Sequence, residues 1–429
     1  MKILIRGAQV IDPGHINQVA DIFIENGKIS SIDKKPQGKV KVSNGVHVIE
    51  GKGLIACPGF IDLHAHLREP GFEYKETIAT GSMSAVAGGF TSVCCMPNTK
   101  PVNDSRSVTE FILQQAEAAD KARVFPIGAI TKGSKGEELS EIGELYEAGC
   151  VAISDDGIPV MNSLVMRRAM EYAKTFKIPV IDHCEDLYLS EGGSMNEGMV
   201  STELGLPGIP NAAEEVMVAR NIMLVELTGA QFHLAHVSTA GSVRLVREAK
   251  SRGLPVTAEA CPHHFSLTDE AVRSFDTYAK MNPPLRSDVD SQAIKEGLRD
   301  GTIDVIATDH APHAAHEKEL QFDSAPFGII GFETALPLTL NLVEEGVLTL
   351  EQALGKLTSE PARVFGLPHG TLEIGAHADL VLFDLNQTWV VDSTKLHSKS
   401  RNTPFTGWTM KGKVMKTFVG GRVVFEAGP

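Results

Sequence analysis

The chain has 429 residues, with 40 basic and 54 acidic side chains and a formal net charge of −14. This acidic balance argues against a general nucleic-acid or membrane-surface binder, because such proteins need a basic face. Hydrophobic residues make up 42% of the chain and charged residues 22%, a globular composition that excludes intrinsic disorder and fibrous folds. The fifteen histidines could supply a metal site, but composition does not say whether they meet.

The two ends of the chain carry the same pattern of short apolar runs and tight turns. Residues 22–24 are followed by Asn26-Gly27, and residues 417–419 by Gly420-Gly421 and a second apolar run. Two-residue turns of this kind are strong hairpin signals. Neither end can bury a good core alone, so we predict one small β-sandwich domain built from residues 1–54 and 368–429. Two independent β appendages are the alternative.

The middle of the chain, residues 55–367, alternates apolar runs with helical stripes. Helices are predicted at 107–122, 166–176, 212–228, 241–251 and 294–299, and strands at 178–183, 231–237, 255–260 and 303–308. Repeated βα units over roughly 300 residues predict a parallel α/β sheet, either open and doubly wound or closed as a (β/α)8 TIM barrel. No glycine motif of a nucleotide-binding loop follows a strand, which argues against nucleotide binding.

Metal-binding residue types follow five of the apolar runs. His64 and His66 end the first run, and positions i and i+2 of a strand point to the same face. The other runs are followed by Asp155, Asp156, His183, His236 and Asp309. Each residue alone is more often a cap, a turn residue or a core histidine. If these residues are buried close together, their desolvation is costly, and a cation that they all bind would offset that cost. Imidazole and carboxylate suit zinc. With one aspartate taken from the Asp155-Asp156 pair, the four histidines and two aspartates make six ligands, which favour two metals with a bridging carboxylate over one tetrahedral ion.

Eight short motifs occur in order along the chain. They are HAHLR at 64–68, MPNT at 96–99, SDDG at 154–157, DHCED at 182–186, HVST at 236–239, CPHH at 261–264, NPPLR at 282–286 and TDHAPH at 308–313. This series resembles the amidohydrolase superfamily, and within it the type I dihydroorotases of pyrimidine biosynthesis. The resemblance covers nearly the whole chain, including the divided β domain, and implies the closed TIM barrel.

The resemblance also implies a zinc centre with two ions. His64, His66 and Asp309 would bind one ion, His183 and His236 the other, and Asp156 would bridge them. Many relatives bridge their metals with a carbamylated lysine, whereas residues 151–156 here read VAISDD, without lysine. This departure favours the type I dihydroorotases. The set is complete without His263 and His264, which we expect to be structural, and we expect Cys184 to be a packing residue.

The implied substrate is dihydroorotate or N-carbamoyl-L-aspartate, each with a free carboxylate. Arg68 can hold a carboxylate through two parallel hydrogen bonds. The other substrate contacts implied by the resemblance are Asn98 and His313 for the carboxylate, Asn282 for the ring amide, and the backbone of Phe327 and Gly328 for the ring. In the implied reaction, a metal-bound hydroxide attacks the ring carbonyl and Asp309 acts as general base and then acid. The same steps in reverse cyclise carbamoyl aspartate with loss of water.

Two other functions remain as alternatives. One is a hydantoinase- or allantoinase-type cyclic amidase, against which the missing lysine, Arg68 and Asn98 count. The other is a non-catalytic scaffold partner of aspartate transcarbamoylase, against which the complete ligand set counts. A homodimer and a complex of the active enzyme with aspartate transcarbamoylase stay open.

The six cysteines and the N-terminus predict the compartment. The cysteines contain no C-x-x-C pair, so we expect buried thiols rather than disulfides or a zinc knuckle. The N-terminus turns polar too early for a signal peptide, and no run approaches the ~18 apolar residues of a membrane span. We therefore expect a soluble cytoplasmic protein that binds a small molecule and neither nucleic acid nor membrane.

Overall fold

A computed structural model describes residues 2–34 and 45–428 of the chain. Its strands are β1 (Lys2–Asp12), β2 (Ile16–Glu25), β3 (Lys28–Asp33), β4 (Val46–Glu50), β5 (Ile55–Pro58), β6 (Phe60–Ala65), β7 (Phe90–Cys95), β8 (Arg123–Gly128), β9 (Ala152–Ser154), β10 (Val180–Asp182), β11 (Met195–Asn196), β12 (Gly208–Ile209), β13 (Phe232–Leu234), β14 (Val256–Ala260), β15 (Val305–Ile306), β16 (Leu380–Val390), β17 (Thr409–Val419) and β18 (Arg422–Glu426). Its helices are α1 (Ile78–Ala87), α2 (Arg106–Ala119), α3 (Ile142–Ala148), α4 (Ser163–Phe176), α5 (Met199–Leu204), α6 (Asn211–Thr228), α7 (Ala240–Ser251), α8 (Pro262–Ser266), α9 (Asp288–Asp300), α10 (Ala315–Lys318), α11 (Phe332–Glu344), α12 (Leu350–Gly355) and α13 (Ser359–Phe365).

Eight strands form the parallel barrel, in the order β6-β7-β8-β9-β10-β13-β14-β15. The ring is nearly closed between its first and last strands. There Ala65 forms a parallel bridge with His310, and the His66 N–H donates to the His310 carbonyl at 2.9 Å. Asp62 on β6 accepts a hydrogen bond from the Thr308 N–H at 3.1 Å. The predicted barrel is therefore confirmed, and the open doubly wound alternative is not.

The helices and strands predicted for the barrel are present, with shifted ends. Helix α6 ends at Gly229, whose φ of 65° allows the left-handed cap that a side chain would strain. Strands β10 and β15 are shorter than the predicted runs 178–183 and 303–308. The strands end at Asp182 and Ile306, and the Thr308 N–H donates to the Asp62 side chain instead of a strand carbonyl, so each strand ends before its apolar run does.

The strands of both chain ends share one mixed sheet. Its order is β18-β17-β16-β5-β1-β2-β3, and β4 also pairs with β1. The two predicted hairpins are confirmed, since β2 turns into β3 at residues 26–27 and β17 into β18 at residues 420–421. Pairing of β5 with both β1 and β16 joins the two ends, so independent appendages are excluded. This sheet has an apolar core of its own, with Ile5, Val10, Ile22 and Phe418 fully buried or nearly so.

The division into two domains remains a prediction. Residues 35–44 of the predicted segment 1–54 lie outside the described residues. Strand β5 pairs within the mixed sheet, although the predicted barrel segment begins at residue 55. The six cysteines are free and buried, as predicted. None of the described helices combines the length and apolar character that a bilayer crossing requires.

Candidate active site

The predicted metal ligands meet at the carboxyl end of the barrel. His64 and His66 lie at the end of β6, and the other ligands lie one to three residues beyond the ends of β9, β10, β13 and β15, in the order Asp156, His183, His236 and Asp309. All six side chains are buried, with at most 4% of each residue exposed. Parallel strands bring their carboxyl ends to one edge, which is why residues spread over 245 positions of the sequence lie together here.

Asp156 lies between the two groups of ligands. Its Oδ1 is 3.3 Å from His64 Nε2 and 3.7 Å from His236 Nε2. Its Oδ2 is 3.4 Å from His66 Nε2. The neighbouring Asp155 faces away and accepts a hydrogen bond from the Thr131 N–H at 3.0 Å. Of the two adjacent aspartates, Asp156 therefore has the position of a shared ligand.

Asp309 and His183 complete the two groups. Asp309 Oδ1 lies 3.0 Å from His66 Nε2 and 3.5 Å from His64 Nε2. His183 Nδ1 lies 2.9 Å from His236 Nε2, and the two rings of this second pair are nearly perpendicular, at 80°. On its other side, His183 Nε2 is 3.1 Å from Glu185 Oε2. This His183–Glu185 contact is one that the sequence did not predict.

Two buried polar atoms at the centre, His64 Nε2 and Asp156 Oδ1, have no hydrogen-bond partner. Burying a polar atom unpaired costs about 1–3 kcal/mol. A cation bound by these atoms would remove that cost, and nitrogen and carboxylate oxygen are ligands that zinc accepts. The residues present therefore fit a metal centre.

The two carboxylates at the centre stay ionised. Burial alone would raise the pKa of Asp156, but His64 and His236 hold it well below the usual range. Asp309 is similar, since His64 and His66 outweigh its burial and lower its pKa. Burial would lower the pKa of His183, but Glu185 and Asp156 raise it to about 9. The pKa of His64 is also raised, against the effect of burial, by Asp156 and Asp309, so the carboxylates favour positive charge at this centre.

Glu259 is a functional residue that sequence reasoning missed. It is buried on β14, and its Oε1 lies 2.7 Å from His64 Nδ1 while its Oε2 lies 3.1 Å from His233 Nε2. The His236 N–H also donates to Oε1 at 3.2 Å. A carboxylate on Nδ1 fixes the ring of a metal-binding histidine and turns Nε2 toward the metal. The available signal was an acidic residue inside the apolar run 255–260.

Three residues at the site have a left-handed backbone, although none is glycine. The φ angles are 64° for Arg68, 30° for His236 and 45° for Asp309. Such conformations cost on the order of 1–3 kcal/mol and persist where the surrounding structure enforces them. Here they turn one cationic group and two metal-ligand candidates toward the same cavity.

A cavity of about 190 Å³ adjoins the metal ligands. Every predicted substrate contact lines it: Arg68, Asn98, Asn282, His313, Phe327 and Gly328. Five of the six predicted metal ligands also line the cavity, and His64 does not. A larger cavity of about 420 Å³ between α11 and the mixed sheet has none of these residues on its wall. The smaller cavity is therefore the candidate substrate pocket.

The pocket has a strongly cationic side. Arg68 is half-buried, its Nε donates to the Pro312 carbonyl at 3.1 Å, and its Nη2 is 3.3 Å from His313 Nε2. Burial lowers the Arg68 pKa to about 10, so the guanidinium stays charged at neutral pH. Burial and the cations Arg68 and Lys75 hold the His313 pKa far below its usual range, so this imidazole is neutral. Such a pair suits a carboxylate ligand.

Asn98 connects the pocket to the metal centre. Its Oδ1 lies 2.9 Å from His66 Nδ1, which leaves the amide Nδ2 free to donate to a ligand. Asn282 makes a similar connection on the other side, with its Nδ2 at 3.1 Å from Glu185 Oε2 and 3.3 Å from His183 Nε2. Both asparagines therefore touch a predicted metal ligand as well as the cavity.

Asn402, between β16 and β17, holds the pocket loops together and was also missed. Its Nδ2 donates to the carbonyls of Ala311 and Gly328 at 2.9 and 3.0 Å, and its Oδ1 accepts from the His313 N–H at 3.1 Å. Gly328 also donates its own N–H to the Lys280 carbonyl at 2.9 Å. The backbone of Gly328 is thus engaged within the protein, and its predicted contact with the substrate ring stays a prediction.

Two protein-family models match the chain, one after the other. Residues 53–242 match the family described as dihydro-orotase-like, and residues 234–425 match the amidohydrolase family. The chain is 54% identical to a dihydroorotase from Syntrophus aciditrophicus over 427 residues, which are 99% of this chain and all of that protein. It is 56% identical to a dihydroorotase from Geobacter metallireducens over the same length and coverage. The chain belongs to the dihydroorotase family.

Solved structures of hydantoinases share the fold of this dihydroorotase family member. An L-hydantoinase from Arthrobacter aurescens superposes with a TM-score of 0.88 at 25% identity, covering all of this chain and 96% of the other. A D-hydantoinase from a Thermus species gives a TM-score of 0.83 at 26% identity, covering 100% and 97%. These identities are less than half those to the dihydroorotases, so the hydantoinase likeness is one of architecture.

Proposed function

We propose that the chain is a type I dihydroorotase, which cyclises N-carbamoyl-L-aspartate to dihydroorotate with release of water and catalyses the reverse hydrolysis. The observation that carries this proposal is Asp156, with one oxygen facing His64 and His236 and the other facing His66. An aspartate in this place matches the type I pattern, in which no carbamylated lysine bridges the metals. High identity to dihydroorotases over the full chain supports the same reaction.

We further propose two zinc ions as the cofactor. His64, His66 and Asp309 would hold one ion, His183 and His236 the other, and Asp156 both. When bound, zinc lowers the pKa of water from 15.7 to about 7 and polarises the carbonyl under attack. The chain's own part is orientation, because Glu259 fixes the ring of His64 and Asn98 that of His66.

The cationic side of the pocket would hold the substrate carboxylate. Arg68 supplies charge and donor positions, and Asn98 Nδ2 supplies a further donor. The neutral His313 would complete this side of the pocket, where its Nε2 faces Arg68 Nη2 at 3.3 Å and helps to orient the guanidinium. Asn282 would contact the ring amide from the opposite side. Fixing the carboxylate at one end places the reacting amide against Asp309 and the metal ligands. This orientation turns ring closure into a reaction between groups already in place.

Asp309 would move the proton in both directions. In hydrolysis its carboxylate takes a proton from the attacking water and passes it to the ring nitrogen as the C–N bond breaks. In cyclisation it takes the proton from the attacking carbamoyl nitrogen and passes it to the departing oxygen. Its ionised state and its contact with His66 are consistent with the role of base.

A substrate comparison tests the proposed reaction. Purified metal-loaded protein is assayed with dihydroorotate, carbamoyl aspartate, hydantoin and allantoin, and we expect turnover of the first two alone. Preferred turnover of hydantoin or allantoin would overturn the proposal in favour of another cyclic amidase. Protein that carries metal but turns over none of the four would support the scaffold alternative instead.

The assembly and compartment belong to the same proposal. We propose a cytoplasmic enzyme, which the six free buried thiols support. Whether it forms a homodimer or a complex with aspartate transcarbamoylase is tested by light scattering of the chain alone and mixed with the transcarbamoylase. A larger species in the mixture alone would support the complex.

A further inference from the structure

Cys261, His263 and His264 form a second cluster of metal-binding residue types. They lie just after β14 and within α8, and each is at most 4% exposed. Their ligand atoms all lie within 4.8 Å of one another. In the described part of the chain, the other groups that satisfy this distance are His64–Asp156–His236 and His64–His66–Asp309, which both belong to the centre described above.

Both imidazoles present an unused nitrogen. His264 Nε2 lies 2.9 Å from the Pro283 carbonyl. A carbonyl only accepts hydrogen bonds, so Nε2 carries the proton and the lone pair is on Nδ1. That Nδ1 and the Nε2 of His263 are buried and have no hydrogen-bond partner. Burial lowers the His264 pKa to about 4, so its ring is neutral, as a metal ligand must be.

The cluster is separate from the candidate active site. None of its three residues lines the substrate cavity, and the six ligands there need no further member. Ligands of a tetrahedral zinc ion stand about 3.5 Å apart, given metal–ligand distances of about 2.0–2.3 Å. A cluster within 4.8 Å needs to contract by little more than one ångström to meet this spacing.

We propose that Cys261, His263 and His264 form an additional site for a divalent cation of zinc type, distinct from the catalytic centre. Binding replaces the thiol proton by the metal, so one proton is released and no oxidation state changes. The ion would tie the end of β14 to residue 283, through the His264–Pro283 hydrogen bond. Because the three residues are buried, we expect the ion to enter during folding and to exchange slowly.

Cobalt substitution gives a test specific to this site. The protein is produced with Co²⁺ as the supplied metal, and its near-ultraviolet absorption is recorded. A cobalt ion bound to thiolate gives a charge-transfer band there, whereas the proposed catalytic ligands are nitrogen and oxygen only. We expect the band in the wild-type protein and in Cys184→Ser, which removes the cysteine next to His183. We expect Cys261→Ser to lack it.

Metal counting provides the second measurement. Wild-type protein should keep one metal equivalent more than Cys261→Ser and than His264→Gln, and this equivalent should resist chelator under native conditions. A metal-loaded wild-type protein without the band, or a band that survives in Cys261→Ser, would overturn the proposal. If Cys261→Ser fails to fold, a band that is retained in Cys184→Ser supports the site, and a wild-type spectrum without the band overturns it. Neither readout uses the dihydroorotase reaction, so this site can fail while the proposed function stands.

Discussion

At the scale of single residues, the two carboxylates of the candidate active site differ in the side chains that they contact. Both carboxylates line the pocket, but Asp156 faces imidazoles of both ligand groups, whereas Asp309 contacts His64 and His66 of one group. A carboxylate shared between groups suits a metal bridge, and one at the edge of the pocket can reach a substrate proton. We therefore expect substitutions of Asp156 and of Asp309 to have different effects.

Removing the carboxylate charge of Asp309 should stop proton transfer. We expect Asp309→Asn to lower kcat by about 10²–10⁴, the usual contribution of general acid–base catalysis, while substantial metal remains bound. Steady-state kinetics and elemental analysis of the same preparation measure both quantities. Wild-type turnover in this variant would rule out Asp309 as the proton carrier.

Arg68 should act mainly on substrate binding. Hydrogen bonds to a charged group contribute about 1.5–3 kcal/mol, so Arg68→Ala should raise KM for dihydroorotate roughly 10–150-fold. Arg68→Lys keeps the charge but loses the planar pair of donors, and should give an intermediate KM. A KM near the wild-type value in Arg68→Ala would place the carboxylate pocket elsewhere.

Glu259 should act on metal affinity without touching the substrate. Partners that orient a metal-binding histidine contribute about 10–100-fold to affinity, and we expect that loss in Glu259→Gln. Competition with a chromophoric chelator measures it. The exposed Glu270, which pairs with Arg273 on the surface, supplies the control Glu270→Gln. Equal metal affinity in both variants would show that His64 is held by its packing alone.

At the scale of elements, the pocket depends on loops that no single βα unit supplies. The segment before β17 places Asn402 against the loop that carries His313 and the loop that carries Gly328. Three hydrogen bonds from one buried side chain fix the distance between these loops. The substrate pocket is therefore partly built by a segment far from the barrel strands in sequence.

Loosening this connection should affect recognition of the carboxylate. We expect Asn402→Ala to raise KM for dihydroorotate about tenfold or more, since unpaired buried backbone groups cost about 1–3 kcal/mol, while metal content is unchanged. Asn386→Ala, an exposed change on β16, is the control for loss of an asparagine side chain. A parallel fall of metal content would instead indicate general unfolding of the site.

At the scale of the whole molecule, a partly buried ion pair between Arg123 and Asp379 helps to join the barrel to the mixed sheet. Arg123 on β8 holds both oxygens of Asp379 at 2.8 and 3.1 Å, and the Gly420 N–H donates to the same carboxylate at 2.6 Å. Burial alone would raise the Asp379 pKa, but His369 and Arg123 hold it well below its usual range. This ion pair thus links β8 of the barrel with the turn between β17 and β18.

A lowered folded-state pKa fixes the sign of the pH effect. The stability from Asp379 is present above the unfolded-state pKa of about 3.9 and is lost as pH falls through the folded-state value. Arg123 is partly exposed, so we expect Asp379→Asn to cost only about 1–2 kcal/mol at pH 7. The difference in unfolding free energy between this variant and wild type should become smaller below about pH 4. Urea unfolding at pH 7 and below pH 4 measures it. An equal difference in unfolding free energy at both pH values would mean that the charge of Asp379 does not cause the stabilisation.

The sequence by itself determined the repeated βα units, the two hairpins and the residue types at the strand ends. These features follow from local periodicity, from turn residues such as Asn26-Gly27, and from histidine or aspartate placed directly after an apolar run. Because parallel strands end at one edge, placing those residues on strand ends was enough to bring His64, Asp156 and Asp309 together.

Only the tertiary structure decided which residues support that set. Glu259 reaches His64 across 195 positions of sequence, and Asn402 reaches Ala311 across 91. The tertiary structure also gives the physical difference between the two adjacent aspartates, since Asp155 accepts from Thr131 while Asp156 faces the histidines. It ends β10 and β15 before their apolar runs end. Such contacts depend on how distant strands and loops pack in three dimensions, and no local pattern of hydrophobic or turn residues encodes them.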